Sequence, residues 1–257
     1  MHQFISFTKK ELIESHATFR LYILLGVFFL LGLMGPGIAL LIPALMEMAA
    51  VADANITVIV GEPMAQDAWL QFFSNFVQMG SMAVAIIFAG ILGREIRRGT
   101  LVNLLTKGMK RHTVVLAKFI SASLLWTVAI IVAVGTCWIY TSIYFEPIAI
   151  PNAALLFVGP WLFGLFIISL AMLGGALMGS FGGGMALSLG VFFALVFLNM
   201  VPNVQAYNPI TLAADKPLLL VLGTGEASDF TYAIIITSIT IIACIALSIL
   251  AFNKKKI

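Results

Sequence analysis

Residues 230–252 read FTYAIIITSITIIACIALSILAF, twenty-three positions without one Asp, Glu, Lys, Arg or His. A helix rises about 1.5 Å per residue, so roughly 20 apolar residues cross the hydrocarbon layer of a bilayer. Working outward from this stretch, five further windows have the same character: 21–46, 70–92, 119–145, 153–180 and 185–201. The six together cover 144 of the 257 residues and hold none of the 25 Asp, Glu, Lys and Arg residues, where even placement would put 14. The pattern predicts an all-α membrane protein with six transmembrane helices. Gly182-Gly183-Gly184 is the expected turn of a tight hairpin between the fourth and fifth spans, because glycine reaches the backbone angles a reversal needs.

Composition excludes the other classes. The chain is 61% apolar and 10% charged, with a mean hydropathy of +1.10. A soluble domain carries about a quarter charged residues. Cys137 and Cys244 both lie in apolar runs, and His2, His16 and His112 are scattered, so no disulfide framework and no metal site is expected. The first apolar run is 26 residues long, beyond the roughly 7–15 of a cleaved signal core, and reads as a span.

Charge sets the expected orientation. With both termini inside, the inner segments hold 13 of the 14 basic residues with Glu11, Glu14 and Glu95, a net of +10, and the outer segments have a net of −7. Lys and Arg resist translocation, so both termini are expected in the cytoplasm. The segment 1–20 is expected to be an interfacial elbow helix. Ile5, Leu12 and Phe19 recur at intervals of seven and share a face, with Lys9, Lys10 and Glu14 directed elsewhere. The domain plan is thus an elbow (1–20), a six-span region (21–252) with a cytoplasmic loop at 93–118, and a basic tail (253–257).

The spans contain no Asp, Glu, Lys, Arg or His to bind a proton or cation, and no His, Asp or Glu for acid–base chemistry at membrane depth. The chain also lacks the Gly-x-x-x-x-Gly-Lys-[Ser/Thr] loop that cradles phosphates. No catalytic residue is expected, and work for active transport must arrive from another protein. The loop 93–118 offers a place for it. Thr100 is an acceptable N-cap, Leu101, Leu104 and Leu105 share a face, and Gly108 is a natural stop. A helix this short needs a partner or a packing surface for stability. Its leucines either fill a groove on a partner protein or pack on the membrane surface and the chain's own helices.

The order of a span, Glu95, Arg98-Gly99-Thr100-Leu101, Leu104-Leu105, Lys110-Arg111 and then Lys118 resembles the cytoplasmic loop of type-2 ABC transporter permeases. Lys10-Glu11-Leu12 is similar to the elbow helix of that family, and the six-span layout extends the likeness over nearly the whole chain. Many members place a proline shortly before the Arg, where this chain has Gly108-Met109-Lys110. The resemblance implies a membrane subunit of an ATP-driven exporter in a bacterial cytoplasmic membrane. It implies a second six-span subunit, identical or different, and two copies of a separate ATPase that carries ATP and Mg, with no cofactor on this chain. ATPase coupling would fall to Glu95, Gly99, Thr100, Leu101, Leu104, Leu105 and Arg111. Residues 202–229 would form short interfacial or re-entrant helices.

In the second span, Gln71, Ser74, Asn75, Gln78 and Ser81 recur at helical spacing and make a polar stripe. Lipid contact would be costly for it, so it faces a translocation path or a protein seam. A path of neutral amides and hydroxyls suits a hydrophobic or amphipathic cargo such as a drug, peptide or lipid. Gly175, Gly179 and Gly183, spaced by four, allow close helix approach within a subunit or across a dimer. The competing reading is a non-transporting scaffold or immunity protein that sequesters a peptide in the bilayer. Nothing in the sequence points to nucleic acid.

Overall fold

The computed structural model describes residues 2–52, 62–101, 106 and 108–255. They contain helices and turns and no strand. Helix α1 (His2–Ala17) leads into α2 (Arg20–Ala52). The second passage is built in pieces: α3 (Ala65–Asn75), one π turn (Phe76–Gly80), α4 (Ser81–Phe88) and α5 (Gly93–Arg98). Then come α6 (Arg111–Tyr144), α7 (Leu155–Met178) and α8 (Phe181–Leu198). Two short helices, α9 (Pro202–Gln205) and α10 (Asp215–Val221), precede the last long helix, α11 (Thr231–Lys254). Six stretches are long and apolar enough to cross a membrane: Arg20–Met46, Ala65–Arg98, Arg111–Tyr144, Leu155–Met178, Phe181–Leu198 and Ala227–Lys254.

These are the six spans expected, with shifted ends. The second begins at Ala65 and runs to Arg98, and the third begins at Arg111, so the expected 93–118 loop contracts to a connection over 99–110. Helices do not stop where charge begins; polar side chains at the ends reach back to the interface or pair with one another. The hairpin turn also moves. Gly179, at φ 65, closes α7, and the Ser180 hydroxyl accepts from the Gly183 amide as N-cap of α8. Gly182-Gly183-Gly184 then lies inside the first turn of α8.

α7 is the central post. It is the most enclosed span, with residues from Gly159 to Ala176 buried almost without a break, apart from Trp161. In lipid the surroundings are as apolar as leucine, so helices associate by close packing and hydrogen bonding rather than by expulsion of water. Glycines permit the close approach here. Gly175 lies against the backbone of Gly93, and Gly183 lies against the Gly174 carbonyl, so the spaced glycines pack inside one chain. Farther along, the Trp126 ring rests on Gly164; its Nε1 donates to the Trp161 carbonyl (2.8 Å), and Trp161 Nε1 donates to Thr127 Oγ1 (3.0 Å). Phe28, Phe72 and Phe76 complete an aromatic core around Trp126.

Residues 202–229 form short helices that pack into the bundle, with Ile210, Leu212, Leu220 and Val221 buried. The apolar run Leu218–Leu222 is therefore partly core rather than surface. Lys216 is buried and ties the segment together, donating to the carbonyls of Ala206 (3.1 Å) and Asp229 (2.6 Å). Burial pulls its ammonium below the usual lysine range, against the pull of Asp229 and Asp215.

A Cβ at Gly93 would collide with the Ser180 carbonyl, while one at Gly190 would meet nothing within 4 Å. Gly93→Ala is expected to destabilise by about 1–3 kcal/mol, and Gly190→Ala to leave stability unchanged or slightly raised. Thermal unfolding of the two variants in the same detergent checks the contrast.

Candidate functional site

The end of the bundle that holds both termini is organised around Lys118. Its Nζ lies 2.8 Å from Glu11 Oε2 on α1 and 2.7 Å from Glu95 Oε1 on α5. The Lys118 side chain is 1% exposed, Glu11 8% and Glu95 18%. One ammonium thereby joins the N-terminal helix, the end of the second span and the start of the third. Ser121 Oγ adds a bond to the Thr8 carbonyl (3.4 Å). Carboxylate oxygens of Glu11, Glu14 and Glu95 lie within 4.8 Å of one another, and the ammonium groups of Lys118 and Lys10 sit among them. The cluster is an ion-pair network in which two lysines bridge three carboxylates, with Arg20 acting on all three at longer range. Lys10 Nζ, 2.6 Å from Glu14 Oε2, holds that carboxyl below its usual range.

α1 is present as a helix, but the face it turns inward differs from the expected one. Phe7, Glu11 and Ser15 are buried at helical spacing, Leu12 packs partly on the core, and Ile5 and Phe19 are exposed. An acid occupies the inward face because Lys118 waits beneath it. A search for apolar repeats passes over such a position.

The residues assigned to ATPase coupling have diverse surroundings. Glu95 is a partner of Lys118. Gly99 closes α5 in the left-handed region (φ 68) that glycine tolerates. Thr100 is exposed, and its Oγ1 donates back to the Glu95 carbonyl (3.4 Å). Leu101 is fully buried in this chain's own core, which withdraws it from the predicted docking face. Leu104 and Leu105 lie outside the described residues. Gly108, at φ 84, has the backbone expected of a helix stop. Arg111 closes the far end of the last span: its guanidinium donates to the carbonyls of Phe252, Asn253 (3.1 Å) and Lys255 (2.7 Å) and stacks on the Phe252 ring. The final carbonyls of a helix lack internal partners and carry partial negative charge, so a cation there satisfies both needs.

The polar stripe is split by the π turn at Phe76–Gly80, which widens one turn of the helix and rotates the residues beyond it. Ser74 and Gln78 are exposed, Gln71 and Asn75 half-buried, and Ser81 is buried with its hydroxyl toward the Phe76 carbonyl (3.5 Å). Ser81 thus leaves the stripe for the interior. Asn75 Nδ2 is buried without a hydrogen-bond partner among the described residues.

Removing Lys118 alone strands two carboxylates in the interior. Lys118→Met is expected to cost about 3–5 kcal/mol, and the triple variant Lys118→Met, Glu11→Gln, Glu95→Gln to recover most of that loss, since a neutral cluster carries no uncompensated charge. Unfolding in detergent at neutral pH compares the two; a single variant as stable as the parent would refute the clamp.

No curated protein matches the chain. A family model described as ABC-2 family transporter protein matches residues 7–257, from the buried Phe7 of α1 to the last residue. Six apolar helices and that match over nearly the full length make this a multi-pass membrane protein, and the chain belongs to the ABC-2 family of transporter proteins.

Proposed function

We propose that this chain is the permease subunit of an ATP-driven exporter that moves a hydrophobic or amphipathic compound outward across a bacterial cytoplasmic membrane, with both termini in the cytoplasm. The family match over residues 7–257 carries the reading. It favours a transporter subunit over a non-transporting scaffold. Two copies of a separate ATPase, bearing ATP and Mg, supply the work, and a second six-span subunit, identical or different, completes the path. The excess of Lys and Arg in the segments at the Lys118 end supports the orientation. The six apolar windows hold no Asp, Glu, Lys, Arg or His, and the charged residues that the helical spans include lie toward their ends, which supports an outside source of energy rather than an ion gradient.

The ion-pair clamp supports a mechanical route. A push on the 99–110 connection does work only if something stiff receives it. Glu95 is locked to Lys118 and through it to Glu11, so α1, α5 and α6 move as one body. Arg111 extends that body to the end of α11. Toward the cargo, Ser74 and Gln78 on the outside of the second span, with the orphaned Asn75 amide beside them, suit a surface completed by passing cargo or by the second subunit.

Leu104→Asp, expressed at normal levels, is expected to lose the co-purifying ATPase, read by mass analysis of the intact assembly from cells that co-express both genes. Retained ATPase together with retained transport would count against docking through this loop. Gln78→Leu is expected to shift preference across a panel of amphipathic compounds while the ATPase stays bound; an unchanged panel would remove the stripe from the path.

A further inference from the structure

A cavity of about 590 Å³ opens beside the Lys118 clamp, between α1, the start of α2, the end of the second passage and the start of α8. Its volume is in the range of small-molecule sites. Its lining has two chemistries. Arg20, Arg94 and Arg98 supply a cationic part, and Ile23, Ile86, Ile87 and Ile91 supply an apolar part. The acids in the lining are engaged: Glu11 and Glu95 with Lys118, Glu14 with Lys10. The three arginines make no such direct contact, although Glu11, Glu14 and Glu95 act on Arg20 at longer range, and the lining as a whole carries five basic residues against three acids. Among the described residues none of them has an ion pair or a hydrogen bond; Arg94 stacks on the Phe181 ring, and Arg20 is half-buried. A half-buried guanidinium without an acceptor is costly, and phosphate is the acceptor whose geometry matches its paired N–H groups.

The apolar part selects the kind of phosphate. Ile23 lies about one turn into α2 beyond Arg20, and Ile86 about two turns before Arg94, both within apolar spans and both exposed. A soluble anion has no use for exposed isoleucines within apolar spans, whereas an acyl chain does. We infer that the cavity binds an anionic phospholipid, its phosphate held between Arg20 and Arg94 and an acyl chain laid along Ile23, Ile86 and Ile87. The site rests on the proposed orientation only for the choice of leaflet, which is the cytoplasmic one. With its head beside the Glu11–Lys118–Glu95 network, the lipid wedges against the body through which the connection moves.

The full chain, purified in mild detergent, is titrated with dioleoyl phosphatidylglycerol, with dioleoyl phosphatidylcholine and with inorganic phosphate, and occupancy is read by native mass spectrometry. Phosphatidylglycerol is expected to bind in preference to phosphatidylcholine, and millimolar inorganic phosphate not to displace it. Arg94→Gln is expected to weaken phosphatidylglycerol about fivefold, and Arg20→Gln with Arg94→Gln by roughly 25-fold. Arg97→Gln, which lies outside the cavity, leaves it unchanged. Equal binding of the two lipids, or unchanged affinity in the double variant, overturns the site. Full displacement by inorganic phosphate overturns the lipid in favour of a soluble anion. Arg94→Gln alone, with an exposed side chain, keeps the test available should the double variant misfold. The readout needs no ATPase, so failure here leaves the proposed ATP coupling standing, and failure of coupling leaves the lipid site standing.

Discussion

An ammonium taken out of water and into a helix bundle is tolerated only where acceptors replace its hydration, and Lys118 finds them in two carboxylates from distant parts of the chain. That requirement fixes the basic end. α1 must lie across the start of α6 to deliver Glu11, and α5 must continue the second passage far enough to deliver Glu95. Gly93, where α5 begins, sits against Ser180 and Gly175. The connection 99–110 is short because the helices on both sides extend to reach the clamp.

The membrane character of the chain is plain in its sequence because exclusion of charge from a span is a property of composition, independent of partners. The positions that the sequence hides are those where two residues far apart decide one another. Lys118 looks like the end of a loop until Glu11 and Glu95 are seen around it. A hint exists: Glu11, Glu14 and Glu95 are acids in segments where topology calls for bases, and an acid in such company has reason to be paired. The inward face of α1 escapes a count of apolar repeats for the same cause, since a buried glutamate interrupts it.

Local rules are of uneven use. Both Gly179-Ser180 and the glycine triplet signal a turn, and the structure takes the pair that offers a left-handed stop followed by a hydroxyl cap, a combination the triplet lacks. The polar stripe keeps a period of 3.6 only as far as Asn75; the π turn after it has no sequence signature of its own, so regular spacing assigns Ser81 to the wrong side. Arg111 is legible as a charge and illegible as a cap, because the carbonyls it closes are far off in the chain: the bond to Asn253 spans 142 residues.

At the opposite end, Lys216 anchors residues 202–229 through the main-chain carbonyls of Ala206 and Asp229. A bond to a carbonyl is indifferent to the side chain that the same residue carries. The outward side chains of the segment that make no such bond are therefore open to exchange, while Lys216, the Asn208 amide and the Asp229 carboxylate that accepts from the Glu226 amide keep the fold closed.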